Sequence, residues 1–182
     1  IEQEVSRGLA HRIAVAQSGR SLIRKAMEIG GLLAAVAALL VIALGLAGAD
    51  RLLDGDMSLL VALACGIVSL LPAHLSRGVL AGSGHITRYA VQLSADGTLR
   101  AVGAAGLALA GVHTPWAYAA LLTLAPLAAV GISVAGLAWA DIAGRGAPAP
   151  ATRRDLAPAL GYLIGASFAM QTLANAGPTA VK

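Results

Sequence analysis

Two charged side chains of opposite sign lie inside an apolar stretch of the chain. Residues 91–110 read VQLSADGTLRAVGAAGLALA and include Asp96 and Arg100. A helix of about 20 residues rises about 30 Å, which is the thickness of a bilayer's hydrocarbon core. Because the two residues are four apart, with the acid first, they share a helix face and Arg100 leans back over Asp96.

A charge at the middle of a membrane costs about 3 kcal/mol on insertion scales, so ionisable residues there are candidates for function. The spacing therefore predicts that Asp96 and Arg100 face a polar interior, as part of a substrate pathway or a proton-sensitive pair. Two alternatives stay open. The pair could be structural and fix helix packing, or Asp96 could lie close enough to the cytoplasmic surface to be hydrated.

The composition is that of an integral membrane protein. The chain has 182 residues, of which 58% are hydrophobic and 12% charged, with a mean hydropathy of +0.78. Soluble domains carry about 25% charged residues. Aromatic residues make up only 3% of the chain, and period-2 alternation is absent, which argues against an outer-membrane barrel. We therefore expect an all-α, polytopic membrane protein with helices packed through small residues.

Hydropathy divides the chain into a basic segment, five predicted spans and a linker. Residues 1–28 form a cytoplasmic segment, and residues 29–140 hold four predicted transmembrane helices. A linker rich in proline, glycine and arginine follows at 141–155, and residues 156–182 hold the last predicted span. The five spans are 29–48, 57–76, 91–110, 116–140 and 156–176.

The basic residues alternate with the loops. Residues 1–28 contain five Lys or Arg, residues 77–90 contain two and residues 141–155 contain three, whereas the two other loops share only Arg51. Cytoplasmic loops carry an excess of Lys and Arg. The three basic segments are therefore predicted to be cytoplasmic, and the protein to be a multi-pass protein of the cell's inner (plasma) membrane.

The basic loop between the second and third spans is a second candidate site. Its Arg77, His85 and Arg88 could hold the phosphates of an anionic lipid-linked substrate at the cytoplasmic mouth, or they could be ordinary cytoplasmic anchors. The four histidines have no spacing typical of metal ligands, and no nucleophile–base grouping is present. We expect no metal, no cofactor, no nucleic-acid partner and no enzymatic activity.

Three short stretches resemble a family of transporters. EQEVSR (2–7), SRGVLAGSG (76–84) followed by the span that carries Asp96 and Arg100, and NAGP (175–178) are similar to segments of bacterial, actinobacterial-type flippases for polysaccharide and lipopolysaccharide biosynthesis. These belong to the multidrug/oligosaccharidyl-lipid/polysaccharide exporter superfamily. The resemblance runs diffusely along the whole chain.

The resemblance implies an internal fragment of a fold with twelve or more helices in two lobes. The first four spans would belong to the first lobe, residues 141–155 would connect the lobes, and residues 156–182 would open the second lobe. Arg100 would face a basic cavity with Asp96 as its partner. Glu2 and Arg7 would form a gate or packing pair at the cytoplasmic end of a preceding helix.

Together these observations predict a flippase for a lipid-linked oligosaccharide or polysaccharide precursor, which works by alternating access. Its partners would be that lipid-linked sugar, the membrane lipids and a coupling ion. The alternatives are a multidrug or cation antiporter of the same superfamily, an integral membrane enzyme acting on lipid-linked sugars, and a structural membrane subunit. The enzyme is disfavoured because the loops lack clustered acids or a metal motif.

Overall fold

The computed structural model describes residues 2–52 and 57–151, without the side chains of 48–52 and 139. Six helices account for most of these residues, and the prediction of an all-α protein is confirmed for them. The predicted span 156–176 and the NAGP stretch lie outside the described residues. The elements in chain order are α1 (Glu2–Ala14), β1 (Gln17–Ser18), α2 (Arg20–Leu52), α3 (Met57–Gly82), α4 (Ile86–Leu109), α5 (Pro115–Val134), α6 (Trp139–Ala143) and β2 (Ala147–Pro148).

Helices α2 to α5 alternate in direction. Late in α2, Gly45 lies against Leu60 near the start of α3, and late in α4, Gly103 lies against Leu121 near the start of α5. Helix α5 runs parallel to α3. Thr123 Oγ1 donates to the carbonyl of Ala62, 3.2 Å away, and further along both helices Ser133 and the carbonyl of Ala73 bind the same side chain of α4. The start of α2, the end of α3, the start of α4 and the end of α5 therefore share one end of the bundle, which we call the basic end.

The basic end gathers the described residues of the three segments that the sequence predicts to be cytoplasmic, which for the third segment are 141–151. Helix α1 packs along the last turns of α3, where Gly78 lies against Glu2 and Gly82 against Ser6, and β1 pairs in parallel with β2 through Gln17 and Ala147. A buried apolar cluster joins these pieces to α2 and α3. Its members are Val5, Leu9, Leu22, Ile23, Ala26, Leu75, Val79, Ile142 and Ala143. The described residues of the basic segments therefore pack against the ends of α2 and α3 through a shared apolar cluster.

Three of the described helices are long and apolar enough to cross a membrane: Arg20–Ala47, Met57–Gly82 and Pro115–Val134. Large apolar side chains on them are exposed, among them Leu32 at 65%, Val61 at 62% and Leu124 at 60%. Such a surface favours hydrocarbon over water. Helix α4, which contains all but the last residue of the predicted span 91–110, does not reach the same hydropathy, because Gln92, Asp96 and Arg100 interrupt its apolar sequence.

The helices differ from the predicted spans mainly at their ends. Helix α2 begins at Arg20 instead of residue 29, α3 continues to Gly82 instead of residue 76, and α4 begins at Ile86 instead of residue 91. Hydropathy locates apolar residues, whereas backbone hydrogen bonding continues through charged turns. The predicted span 116–140 is shorter as a helix, because α5 ends at Val134.

The end of α5 has a local cause. Gly136 has a positive φ of 74°, a conformation that glycine adopts readily and that cannot continue a helix. Arg88 Nη1 also donates to the carbonyls of Ser133 and Ala135, at 3.3 and 2.9 Å. A basic side chain that binds the last carbonyls of a helix stabilises its C-terminus.

Candidate functional site

The polar side chains of α3 and α4 meet in one band, here called the polar seam. On α4 its members are Tyr89, Gln92, Asp96 and Arg100, and on α3 they are His74, Ser76 and Arg77. The α4 members follow one another at three or four residues, so they share a helix face. From Tyr89 to Arg100 the seam extends about 16 Å along α4, by the helical rise per residue.

Asp96 binds two arginines from two helices. Arg100 Nε lies 2.8 Å from Asp96 Oδ1, and its Nη2 lies 3.2 Å from Oδ2. Arg77 Nη2 reaches Asp96 Oδ2 from α3 at 2.7 Å. The side chains of Asp96 and Arg77 are only 12% and 13% exposed, whereas that of Arg100 is 37% exposed. Asp96 is therefore the shared acceptor at the centre of a three-residue cluster.

The cluster has an excess of positive charge. Two guanidinium groups share one carboxylate, and Arg77 Nε is buried without a hydrogen-bond partner among the described residues. An unsatisfied buried donor costs about 1–3 kcal/mol, and more when the group is charged. Buried charges are normally paired. A further anion or hydrogen-bond acceptor that reached Arg77 Nε would therefore satisfy this donor.

Gln92 links the cluster to a third helix. Its side chain is fully buried, and its Nε2 donates to the carbonyl of Ala73 at 3.1 Å and to Ser76 Oγ at 2.8 Å. Ser133 Oγ of α5 donates to Gln92 Oε1 at 3.3 Å. Both ends of the amide are satisfied, so this network fixes α3, α4 and α5 together one turn from Asp96.

Glu2 occupies the basic end of the seam. Its Oε2 lies 3.0 Å from His74 Nδ1, and its Oε1 accepts a hydrogen bond from Tyr89 Oη at 3.2 Å. The negative charge of Glu2 raises the pKa of the Tyr89 phenol, helped by burial and by the hydrogen bond, with Arg77 opposing it. A cleft of about 550 Å³ lies beside Glu2 and His74, between α2 and α3.

The predicted pairing of Glu2 with Arg7 is not present. Arg7 Nη1 lies 3.7 Å from Glu4 Oε1, one helical turn away, and the Arg7 side chain is 82% exposed. On α1 the residues 2 and 7 are five apart and point in different directions. Glu2 remains at a helix junction, but its partners come from α3 and α4.

Arg77 and Arg88, predicted together in one basic loop, occupy separate places. Arg77 belongs to α3 and joins the Asp96 cluster, whereas Arg88 binds the end of α5. His85 Nδ1 lies 2.9 Å from Ser83 Oγ in the short connection before α4. The structure thus brings Arg77, Asp96 and Arg100 together and leaves Arg88 outside their cluster.

Sequence reasoning missed Gln92 and Ser133. The spacing of Gln92 and Asp96, four residues apart, was a signal that both lie on one face. Ser133 offered no comparable signal, because its partner lies 41 residues away in the chain. Among the described residues no group of three or more His, Cys, Asp or Glu side chains could hold a metal ion.

Comparison of the chain with protein-family models, with curated proteins and with solved structures finds no match.

Proposed function

We propose that this chain forms part of a membrane transporter that flips an anionic, lipid-linked oligosaccharide or polysaccharide precursor across the inner membrane by alternating access. The observation that carries the proposal is the buried cluster of Arg77, Asp96 and Arg100, with two cations, one anion and an Arg77 Nε that has no partner among the described residues. In this proposal residues 91–109 of α4 form a fourth span, and the charged face of this helix borders the pathway.

The chemistry of the cluster suits a phosphate or pyrophosphate linkage. Guanidinium groups bind phosphate oxygens with charge-assisted, often bidentate hydrogen bonds. Asp96 holds both arginines in position while no substrate is bound. An arriving phosphate would share the guanidinium donors with Asp96 and would accept a hydrogen bond from the Nε–H of Arg77. Because the carboxylate stays nearby, the phosphate is held weakly enough to leave, which transport requires.

The charge balance separates this function from its closest alternative. An antiporter for cations needs a carboxylate that is free to bind the cation or a proton. Asp96 instead accepts three hydrogen bonds from two arginines, which favours an anionic substrate. A structural subunit would need the cluster only for packing α3 against α4, and variants at Arg77 and Arg100 distinguish that role from transport.

The test uses cells in which the chain's own gene is replaced by variants. Arg77→Gln and Arg100→Gln remove one cation each, and Arg7→Gln is the matched control, because Arg7 is an exposed arginine outside the seam. Surface polysaccharide and the cytoplasmic pool of lipid-linked precursor are measured together with membrane insertion. We expect precursor to accumulate in the two seam variants and not in the control.

Normal polysaccharide in both seam variants, with normal insertion, would overturn the proposal and leave the cluster as a packing element. Drug sensitivity without precursor accumulation would favour the antiporter.

A further inference from the structure

A second basic site lies away from the polar seam. A cavity of about 770 Å³ opens where the first turns of α2 meet the segment 140–149. Three arginines line it, namely Arg20, Arg24 and Arg145, and no acid is among its described lining residues. None of the three belongs to the seam, so a role for this cavity does not depend on the proposed transport function.

The wall of this cavity is fixed by hydrogen bonds. Ser21 Oγ donates to the carbonyl of Ala149, to which Arg12 Nη1 also donates at 3.1 Å. The amide of Gly19 donates to the carbonyl of Ala143 at 2.7 Å. A side chain at position 19 would collide with Leu9, because an added Cβ would overlap Leu9 Cδ1. The shape of the cavity is therefore set by specific hydrogen bonds and packing contacts at the basic end.

The arginines of the cavity are available to a ligand. Arg20 has no ion-pair partner among residues 2–52 and 57–151. Arg24 lies 3.8 Å from Glu28, and Arg145 lies 3.0 Å from Asp141, but both arginine side chains are 81% exposed. Exposed pairs of this kind are weak. A multivalent anion can therefore compete for the guanidinium groups.

The cavity is polar at one end and apolar at the other. Met27, which is 52% exposed, also lines it and follows Arg20 by seven residues, about 10 Å along the helix axis. Beyond Met27, α2 continues as one of the apolar helices long enough to span a membrane. The order of charge followed by hydrocarbon matches a phospholipid, whose phosphate lies at the membrane surface above its acyl chains.

We propose that the cavity formed by Arg20, Arg24 and Arg145 binds a phosphate group, supplied by the headgroup of an anionic membrane phospholipid. Basic pockets beside spanning helices are suited to anionic headgroups, and the guanidinium fork matches phosphate oxygens. A soluble phosphate ion has the same chemistry, and the experiment has a separate arm for it.

The lipid arm uses the full chain reconstituted in phosphatidylcholine bilayers. Spin-labelled phosphatidylglycerol and spin-labelled phosphatidylcholine are compared, and the motionally restricted fraction of each gives their relative association with the protein. The variants are Arg20→Gln and the double change Arg20→Gln/Arg145→Gln, with Arg7→Gln as the control. We expect the preference for phosphatidylglycerol to fall about fivefold for each cavity arginine removed and to persist in the control.

The soluble arm titrates inorganic phosphate into the protein in neutral detergent and measures the heat of binding. Saturable binding that the double variant loses, without a phosphatidylglycerol preference in bilayers, would keep the phosphate site and assign it a soluble ligand. The absence of both signals, or an equal loss in Arg7→Gln, would overturn the proposal. Circular dichroism checks the fold of each variant. If the glutamine double variant fails to insert, Arg20→Lys/Arg145→Lys replaces it in both arms; this variant keeps the charge but lacks the guanidinium fork, so we expect weaker phosphate binding.

Discussion

Arg77 Nη2 lies 2.7 Å from Asp96 Oδ2, so a residue late in α3 and a residue in the middle of α4 form an ion pair with side chains 13% and 12% exposed. The same carboxylate holds Arg100 from within α4. One acid thus joins two helices and neutralises only part of the charge around it. We therefore expect substitution of Asp96 to destabilise the protein more than substitution of any other residue of the seam.

Replacing Asp96 by Asn should destabilise the protein by about 3 kcal/mol, because removing one partner of a buried pair leaves unpaired charge behind. Asp141→Asn is the control, since its pair with Arg145 is exposed and should cost less than about 1 kcal/mol. Thermal unfolding in detergent, monitored by circular dichroism, compares the two. Equal melting temperatures would show that the cluster is hydrated rather than buried.

Replacing Gln92 by Leu should lower the free energy of unfolding by about 1–3 kcal/mol, which is the penalty for leaving buried hydrogen-bond donors and acceptors without partners. Leucine removes the hydrogen bonds of Gln92 to Ala73, Ser76 and Ser133 together. The Ser133→Ala change removes only one bond to Gln92, and the Ser133 hydroxyl otherwise bonds its own helix at the carbonyl of Val130, 2.9 Å away. The variant Ser133→Ala should therefore be milder. The same unfolding assay ranks the two, and a larger loss in Ser133→Ala would contradict the assignment of Gln92 as the centre of this network.

Gly78 should not tolerate a side chain. An added Cβ would lie 2.5 Å from the backbone oxygen of Glu2, so Gly78→Ala must push α1 away from α3 and separate Glu2 from His74. Gly97 is the matched control, since it also lies within a helix but has no atom within 4 Å of an added Cβ. There alanine should stabilise, by up to about 1 kcal/mol. Opposite shifts in melting temperature are expected, and a neutral Gly78→Ala would contradict the close contact.

Tyr89 should ionise at higher pH than an ordinary tyrosine, because the Glu2 carboxylate raises its pKa. The folded pKa lies above the unfolded one, so the stabilising contribution is complete below about pH 10 and is lost as the pH rises through the folded value. Ultraviolet titration of the phenolate, with Tyr89→Phe subtracted, measures the pKa. Glu2→Gln should lower it, and an unchanged value in that variant would show that Glu2 is not the cause.

The sequence predicted the local parts of the site and missed those that depend on tertiary structure. The bond between Arg100 and Asp96 could be predicted from a spacing of four residues. The approach of Arg77 to Asp96, across 19 positions, and of Glu2 to His74, across 72, required the packing of α1 and α4 on α3. The helix ends were predicted least well, because charged turns such as those at Arg20 and Arg77 extend the helices without any apolar signal.

The contact of Arg88 with the last carbonyls of α5 also has a mechanical consequence. It ties the first turn of α4 to the last turn of α5 at the basic end, while their other ends are joined by the short connection around Gly111. The two helices are thus connected at both ends. We therefore expect α4 and α5 to move together as one unit in any rearrangement of the bundle. Movement of helices relative to one another is then expected between this pair and the other helices.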